Sequence, residues 1–319
     1  MLPPHLRTVR QTVRMAPRPP ADVEVSRPDK LLWPDAGVTK LDYRRYLDAV
    51  ADRMLPWLRR RPLTVIRAPD GVNGERYFQK SASSYMPSWI ASVEIPAPSA
   101  KRDVRYVICD HRQTLVWLGN QAAIEFHPAP VRADRLDRPD WLVFDIDPPE
   151  DRFADAVVVA KLVLEELDGL GLGAGVKTTG GKGLHVLVPI ERRYGTNDLR
   201  SAAATVTALI VEREPDLVTD AFRKAKRGDR VMLDPSRNAP GATVVAPYSP
   251  RGNADARVSF PIAPDELDRT RPEAFTIAAA PSFLDGPGPR SWDELSGQRF
   301  QLPASMLGTG ERRGRRRST

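Results

Sequence analysis

The run WLVFDIDPP, residues 141–149, decides how this 319-residue chain is read. Trp141–Asp145 is apolar up to its last residue, the pattern of a short strand buried on both faces. Its exit carries two carboxylates, Asp145 and Asp147, ahead of Pro148 and Pro149. Side chains at i and i+2 of a strand share a face, so the two acids project together. Carboxylates this close repel unless a divalent cation lies between them, and hard oxygen donors suit Mg²⁺ or Mn²⁺. The plainer alternative is a solvated acidic cap on a strand end.

Asp-x-Asp alone decides little, because metal-dependent glycosyltransferases and haloacid-dehalogenase-type phosphatases use it too. In the phosphatases a Thr or Val follows soon after, where this chain has Pro148 and Pro149. The neighbouring segments narrow the choice. Gly175–Thr178 and Leu184–Ile190 read as strands bracketing the turn TTGGKGLH, residues 178–185. Glycines such as Gly180 let backbone N–H groups approach an anion, while Thr179 adds a hydroxyl and Lys182 a cation. A triphosphate cradle fits; a Walker A loop does not, because its spacing fails and no helix follows. His185 is either a packed strand residue or part of that cradle. Further on, RKAKRGDRVMLD (223–234) is a basic run, holding Arg227, that leads into a strand ending in Asp234. This second apolar strand ending in Asp makes Asp234 the candidate third ligand, with Asn238, Tyr248 and Arg251 close behind.

Outside the centre, Thr39 reads as a helix N-cap. Tyr43, Tyr46, Leu47, Val50 and Met54 then recur at helical spacing until Pro56, which is expected to end the helix. Leu63–Arg67, Arg105–Cys109, Ala123–His127 and Thr243–Ala246 read as strands, with helices over 113–121, Phe153–Leu167 and Thr196–Glu212. Alternating strands and helices predict a mixed α+β fold with a central antiparallel or mixed sheet flanked by helices. The expected organisation is a basic arm over residues 1–21, a catalytic domain of two packed subdomains over 22–300, and a basic tail over 301–319. Past residue 280, rising Pro and Gly density predicts an extended wrap.

Composition fits a soluble globular protein, with 41% hydrophobic and 28% charged residues. No apolar run approaches the ~18 residues of a membrane span. A single cysteine, Cys109, excludes an intramolecular disulfide and suits a reducing cytoplasm. The net charge of +7 sits at the ends, in Arg7, Arg10, Arg14 and Arg18 and in five arginines after residue 308. Such arms can attract phosphate without sequence preference, so any groove in the body must come from local clustering.

Taken together these residues resemble the polymerase module of bacterial ligase D, in the archaeo-eukaryotic primase-polymerase superfamily. The resemblance runs in one unbroken order from about Val25 to Leu267. It includes Pro28-Asp-Lys30, Thr39-Lys40, Arg61-Pro62, Arg67-Ala-Pro-Asp-Gly71, Phe78-Gln-Lys80, Glu125-Phe-His127 and Phe144-Asp-Ile-Asp-Pro148. It continues through Thr179-Gly-Gly-Lys-Gly-Leu-His185, Asp234 with Asn238, and Ala246-Pro-Tyr-Ser249.

The resemblance implies a template-dependent nucleotidyltransferase that fills short gaps, extends broken DNA ends or primes. Asp145, Asp147 and Asp234 would hold two Mn²⁺ or Mg²⁺ ions. Thr179, Gly180, Lys182, His185, Arg227 and Arg67 would meet the nucleoside triphosphate, with ribonucleotides preferred. Lys30 and Lys40 would grip a downstream 5′-phosphate, and Tyr77 and Phe78 would stack on template bases. His127, Lys80, Asn238 and Arg251 are further candidates. The expected partners are gapped or broken DNA, the end-binding protein Ku and a separate ATP-dependent ligase. The expected setting is a monomer at the nucleoid in the cytoplasm, away from membranes. The chain departs from the family at Ile66, where a basic residue is common, and at Pro235, where an aromatic is. Two other readings use the same residues: a metal-dependent phosphatase or nuclease, and a non-catalytic DNA-end binding protein that keeps the fold.

Overall fold

A computed structural model describes residues 13–14, 17–97 and 102–307. Most of the expected basic arm and the tail from residue 308 lie outside the described residues. Two six-stranded sheets carry the fold. The first holds β1 (Val13–Arg14), β4 (Pro62–Arg67), β5 (Tyr77–Gln79), β6 (Ser92–Ala97), β7 (Arg102–Ile108) and β8 (Ala123–Pro128). These run β1-β6-β7-β4-β5, with β8 also on β4, and every pair is antiparallel. The second sheet holds β11 (Trp141–Asp147), β12 (Gly175–Thr178), β13 (Leu184–Pro189), β14 (Val218–Thr219), β15 (Val231–Asp234) and β16 (Pro261–Ile262). Its order is β14-β15-β11-β13-β12-β16, antiparallel except between β14 and β15. Two ribbons, β2 (Leu31–Trp33) with β3 (Val38–Thr39) and β9 (Val131–Arg132) with β10 (Arg135–Pro139), flank them. The helices are α1 (Lys40–Leu58), α2 (Arg112–Asn120), α3 (Phe153–Gly169), α4 (Thr196–Arg213) and α5 (Pro287–Ser296). This is the mixed α+β architecture expected.

Each sheet builds its own core. Leu63 and Val65 of β4 pack with the buried stripe of α1 and with Leu115 and Leu118 of α2. Thr39 caps α1 as expected, in a capping box with Asp42. Pro56 does not end that helix, which runs on to Leu58. Trp57 holds the last turn in place, packed between Trp141 and Trp292 with ring centroids 5.6 and 4.8 Å away. In the second sheet Leu142, Phe144 and Ile146 of β11 face α3 and α4 in one continuous apolar layer.

Three further expectations need correction. Thr243–Ala246 forms no strand: Val244 and Ala246 donate to Pro128 O and Phe126 O of β8, but nothing is returned, because Pro128 has no N–H and the Phe126 amide donates to Ser249 Oγ. The stretch past residue 280 is no extended wrap throughout: Trp292 and Leu295 are buried on α5, and the Trp292 indole donates to Val176 O. Residues 301–307, expected in the tail, dock through Leu302 and Met306 on the second core.

The period of two along β11 creates the site. Trp141 and Val143 share a face with Asp145 and Asp147. Val143 and Trp141 are covered by Trp57, Leu187, Val244 and Trp292. Beyond that cover the same face opens, and the two carboxylates stand at its edge.

Candidate active site

Strand register gathers the acids. Asp145 on β11 lies opposite His185 on β13 and opposite Asp234 on β15. Lys177 on β12 lies opposite His185, so Lys177, His185, Asp145 and Asp234 form one row across four strands. Asp147 stands two residues further, opposite Met232. All three acids line one cavity of about 380 Å³, together with His127, Thr179, Lys182, His185, Arg227, Arg237 and Arg251.

Each carboxylate is already engaged. Asp145, 8% exposed, has Oδ1 3.2 Å from His185 Nε2 and accepts at Oδ2 from Arg237 Nε at 2.7 Å. Burial pushes its carboxyl up, but His185 and Arg237 outweigh this and hold it well below the usual range. Burial, aided by Lys177, pulls His185 down to about 4 against the pull of Asp145, so the ring is neutral at pH 7. Asp147 accepts from Arg227 Nη1 at 3.0 Å and lies 3.6 Å from Lys182 Nζ. Asp234 accepts from the amide and hydroxyl of Ser236, both at 2.8 Å, with Pro235 opening the turn between them. As they stand, no three acid or histidine side chains among the described residues converge on one point. The donor set nevertheless fits hard divalent cations: three carboxylates line one cavity, and Asp145 and Asp147 are paired to the guanidinium groups of Arg237 and Arg227, which a metal would displace.

The glycine turn is pinned from behind. Thr179 Oγ1 accepts from the Gly181 and Gly183 amides at 3.2 and 3.3 Å, so these two N–H groups serve the loop itself. Arg251, Asn253 and Arg257 donate to the carbonyls of Thr179, Gly180 and Gly181. Gly180, at φ +68°, leaves no room for a Cβ, which would lie 2.9 Å from Ser259 N. A Cβ on Gly183 would collide with the Ile146 carbonyl. The loop therefore presses onto β11 and brings Lys182, 43% exposed at its side chain, to the cavity. Opposite, Glu125 is buried, 3.0 Å from Arg251 Nε and 2.9 Å from His127 Nε2.

The other candidates separate into four places. Lys30 and Lys40 come together where β2 and β3 meet α1, the Lys40 amide donating to Lys30 O. Lys40 is 6% exposed and its ammonium donates to Ser26. Burial first, then Arg27 and Lys30, lower its pKa. Tyr77 and Phe78 are exposed on β5, and Lys80 Nζ lies 5.6 Å from the Phe78 ring centroid. Arg67 is not in the cavity: it donates to Gln121 O, Gln79 and Tyr85 at the side of the first sheet. Asn238 is buried and structural, closing on the amide and carbonyl of Val143 and so tying the turn after Asp234 to β11.

Sequence reasoning missed Arg237, Lys177 and Phe222, and gave Glu125, part of the Glu125-Phe-His127 match, no role. Phe222 stands 75% exposed beside the cavity, and its carbonyl accepts from Arg227. The available signals were a lysine inside the buried strand GVKT and an arginine one helical turn past Asp234. Neither shows a partner without the fold.

Residues 39–295 match the family model described as LigD, primase-polymerase domain. The chain is 33% identical over 318 residues to the multifunctional non-homologous end joining protein LigD of Pseudomonas aeruginosa. That match covers 97% of this chain and 37% of the relative. It is 32% identical over 252 residues to the bifunctional non-homologous end joining protein LigD of Bacillus subtilis, covering 78% of this chain and 40% of that one. The chain thus spans roughly two fifths of the length of these relatives. The structure of the polymerase domain from Mycobacterium tuberculosis ligase D in complex with DNA superposes with a TM-score of 0.77 at 30% identity. It covers 83% of this chain and 95% of that one.

Proposed function

This chain belongs to the LigD primase-polymerase family of nucleotidyltransferases, and from that premise we propose that it adds nucleotides, ribonucleotides by preference, to a primer 3′-hydroxyl at short gaps and broken DNA ends. The observation that carries the reading is the cross-strand row that puts Asp145 and Asp234 side by side, with Asp147 two residues on, facing the Lys182 and Arg251 side of one cavity. Asp145, Asp147 and Asp234 hold two divalent ions, Mn²⁺ or Mg²⁺. Bound there, the ions supply charge that activates the attacking hydroxyl and stabilises the leaving pyrophosphate. Lys182, Arg227 and Arg251 neutralise the triphosphate, and His185 donates to it from the cavity floor. Arg227, which donates to Asp147 here, would be free for phosphate if that carboxylate held an ion.

The DNA lies across the first sheet, with Tyr77 and Phe78 stacking on template bases. A buried ammonium crowded by two further cations is electrostatically costly, and a 5′-phosphate between Lys30 and Lys40 relieves it. Lys40→Ala is expected to abolish about tenfold of the preference for a 5′-phosphorylated gap, one charge-assisted hydrogen bond. Addition opposite a 5′-hydroxyl gap should be unchanged; equal losses on both substrates would remove the lysine from phosphate binding. We propose further that the protein acts in non-homologous end joining, in the cytoplasm at the nucleoid, with Ku and an ATP-dependent ligase as partners; the family match supports the repair setting.

The decisive assay extends a labelled primer across a one- to few-nucleotide gap bearing a 5′-phosphate. Mn²⁺ and Mg²⁺ are each tried with ribo- and deoxynucleotides. Template-directed addition, highest with Mn²⁺ and ribonucleotides, is the expected result. No addition under any condition with DNA still bound would leave an end-binding protein.

A further inference from the structure

Lys177 has no part in the mechanism above, yet it is fully buried at one end of the row that carries the acids. Burying an ammonium is unfavourable without compensation, and its strand is otherwise Gly175, Val176 and Thr178. Its contacts are specific. Lys177 Nζ lies 2.7 Å from Ser259 Oγ and 3.0 Å from His185 Nδ1. The Ser259 hydroxyl donates to Thr178 O at 2.8 Å, so it accepts from Lys177. Burial and then Arg251 pull the Lys177 pKa well below its ordinary value against the pull of Asp145; carrying its proton, the ammonium only donates, so Nδ1 of His185 accepts. On the far side of the ring, Nε2 faces Asp145 Oδ1 at 3.2 Å, and a carboxylate only accepts. Both neighbours demand the same arrangement, a ring proton on Nε2 and a lone pair on Nδ1.

We infer that Lys177 is a positioning residue that locks His185 in the Nε2–H tautomer, making it a fixed hydrogen-bond donor toward the cavity. In that state Nε2 has no lone pair with which to ligate a metal or take a proton from the primer hydroxyl. It donates to Asp145, or to a triphosphate oxygen once Asp145 turns to a cation. Lys177 matters most at that second stage, when Asp145 no longer fixes the ring from its side. The tautomer rests on these contacts together with a protonated Lys177; its consequence for turnover rests on the nucleotidyl-transfer reading.

Long-range proton–nitrogen NMR of the four histidine rings tests this, with the His185 signal identified by its loss in His185→Gln. Wild-type protein should show the Nε2–H pattern at pH 7. Asp145→Ala should keep it, because Lys177 suffices; Asp145→Ala with Lys177→Met should lose it. An imidazolium or Nδ1–H pattern in wild type, or an unchanged pattern in the double variant, overturns the inference. Lys177→Met with Asp145 intact should raise KM for the nucleotide about tenfold with a smaller change in kcat, one hydrogen bond to a charged group. Lys177→Gln, which keeps a donor facing Nδ1, should restore most of it; no rescue would mark the lysine as structural packing only. Wild-type protein with the expected tautomer and no nucleotide addition would sink the polymerase reading and leave this one standing.

Discussion

Asp145→Asn is expected to lower template-directed nucleotide addition by about three orders of magnitude while DNA binding and folding are retained. Asparagine keeps the shape of the side chain, so Arg237 and His185 still meet an oxygen there, but the charge that binds a cation is gone. Asp145 is the central acid, the one with a neighbour in register on each side, His185 and Asp234. Losing a charge aimed at the reacting groups in a desolvated site costs about 4 kcal/mol of transition-state stabilisation, roughly a thousandfold in rate. Folding is spared because the stranded partner, Arg237, is half exposed and stays hydrated. DNA binding should be spared because the proposed DNA contacts, Lys30, Lys40, Tyr77 and Phe78, lie with the first sheet and its flanking ribbon, away from β11. Single-turnover gap extension and DNA titration on the same preparation measure both. Activity within tenfold of wild type would show that the acids do not carry the chemistry.

The second large effect is on stability. Asp140→Ala costs about 3–5 kcal/mol, because it leaves a buried guanidinium without its carboxylate. Arg61 and Asp140 are 0% and 1% exposed at their side chains and pair at both ends, 2.6 and 2.9 Å. Arg132 adds a third bond to Asp140 at 2.7 Å, and the Arg61 guanidinium lies 3.7 Å from the Trp141 ring centroid. Arg61 enters β4 of the first sheet and Asp140 enters β11 of the second, so the pair joins the two cores. Burial draws Arg61 down to about 10, still charged at neutral pH. For Asp140 burial pushes upward, but Arg61 and Arg132 prevail and hold it below the ordinary carboxylate range. A depressed carboxyl contributes stability above its unfolded pKa and loses it as pH falls through the folded value. Wild-type protein therefore weakens below about pH 4, the unfolded carboxyl value, and the variant lacks that part of the acid limb. Urea unfolding at pH 7 and pH 3 measures both. A loss under about 1 kcal/mol, typical of an exposed pair, would deny the bridge its role. Arg61→Met with Asp140→Leu should recover part of the loss, since apolar packing can replace a buried pair.

The local features were legible because their causes lie within a few residues. The cap at Thr39, the apolar faces of α1, α3 and α4, and the strand WLVFD followed by Asp-x-Asp all rest on spacing and capping. They appear where expected. The errors also share a cause. Pro56 was read by its local effect, and the packing of Trp57 between Trp141 and Trp292 overrode it. Arg67 and Asn238 were grouped with the site by resemblance and order, yet one turns to Gln79 and Tyr85 and the other closes on Val143.

The family, the fold class and the candidacy of Asp145, Asp147, Asp234, Lys182, His185, Arg227 and Arg251 were all legible in the chain itself. Periodicity, motif order and donor chemistry are properties of the chain, readable without its partners. Only the tertiary structure decided what each group faces. It placed Asp234 against Asp145, put Arg237 on that carboxylate, and set Lys177 beneath His185. The strand pairings follow from register between residues up to 89 apart, Asp145 and Asp234, and nothing within one strand specifies which residue will lie opposite it.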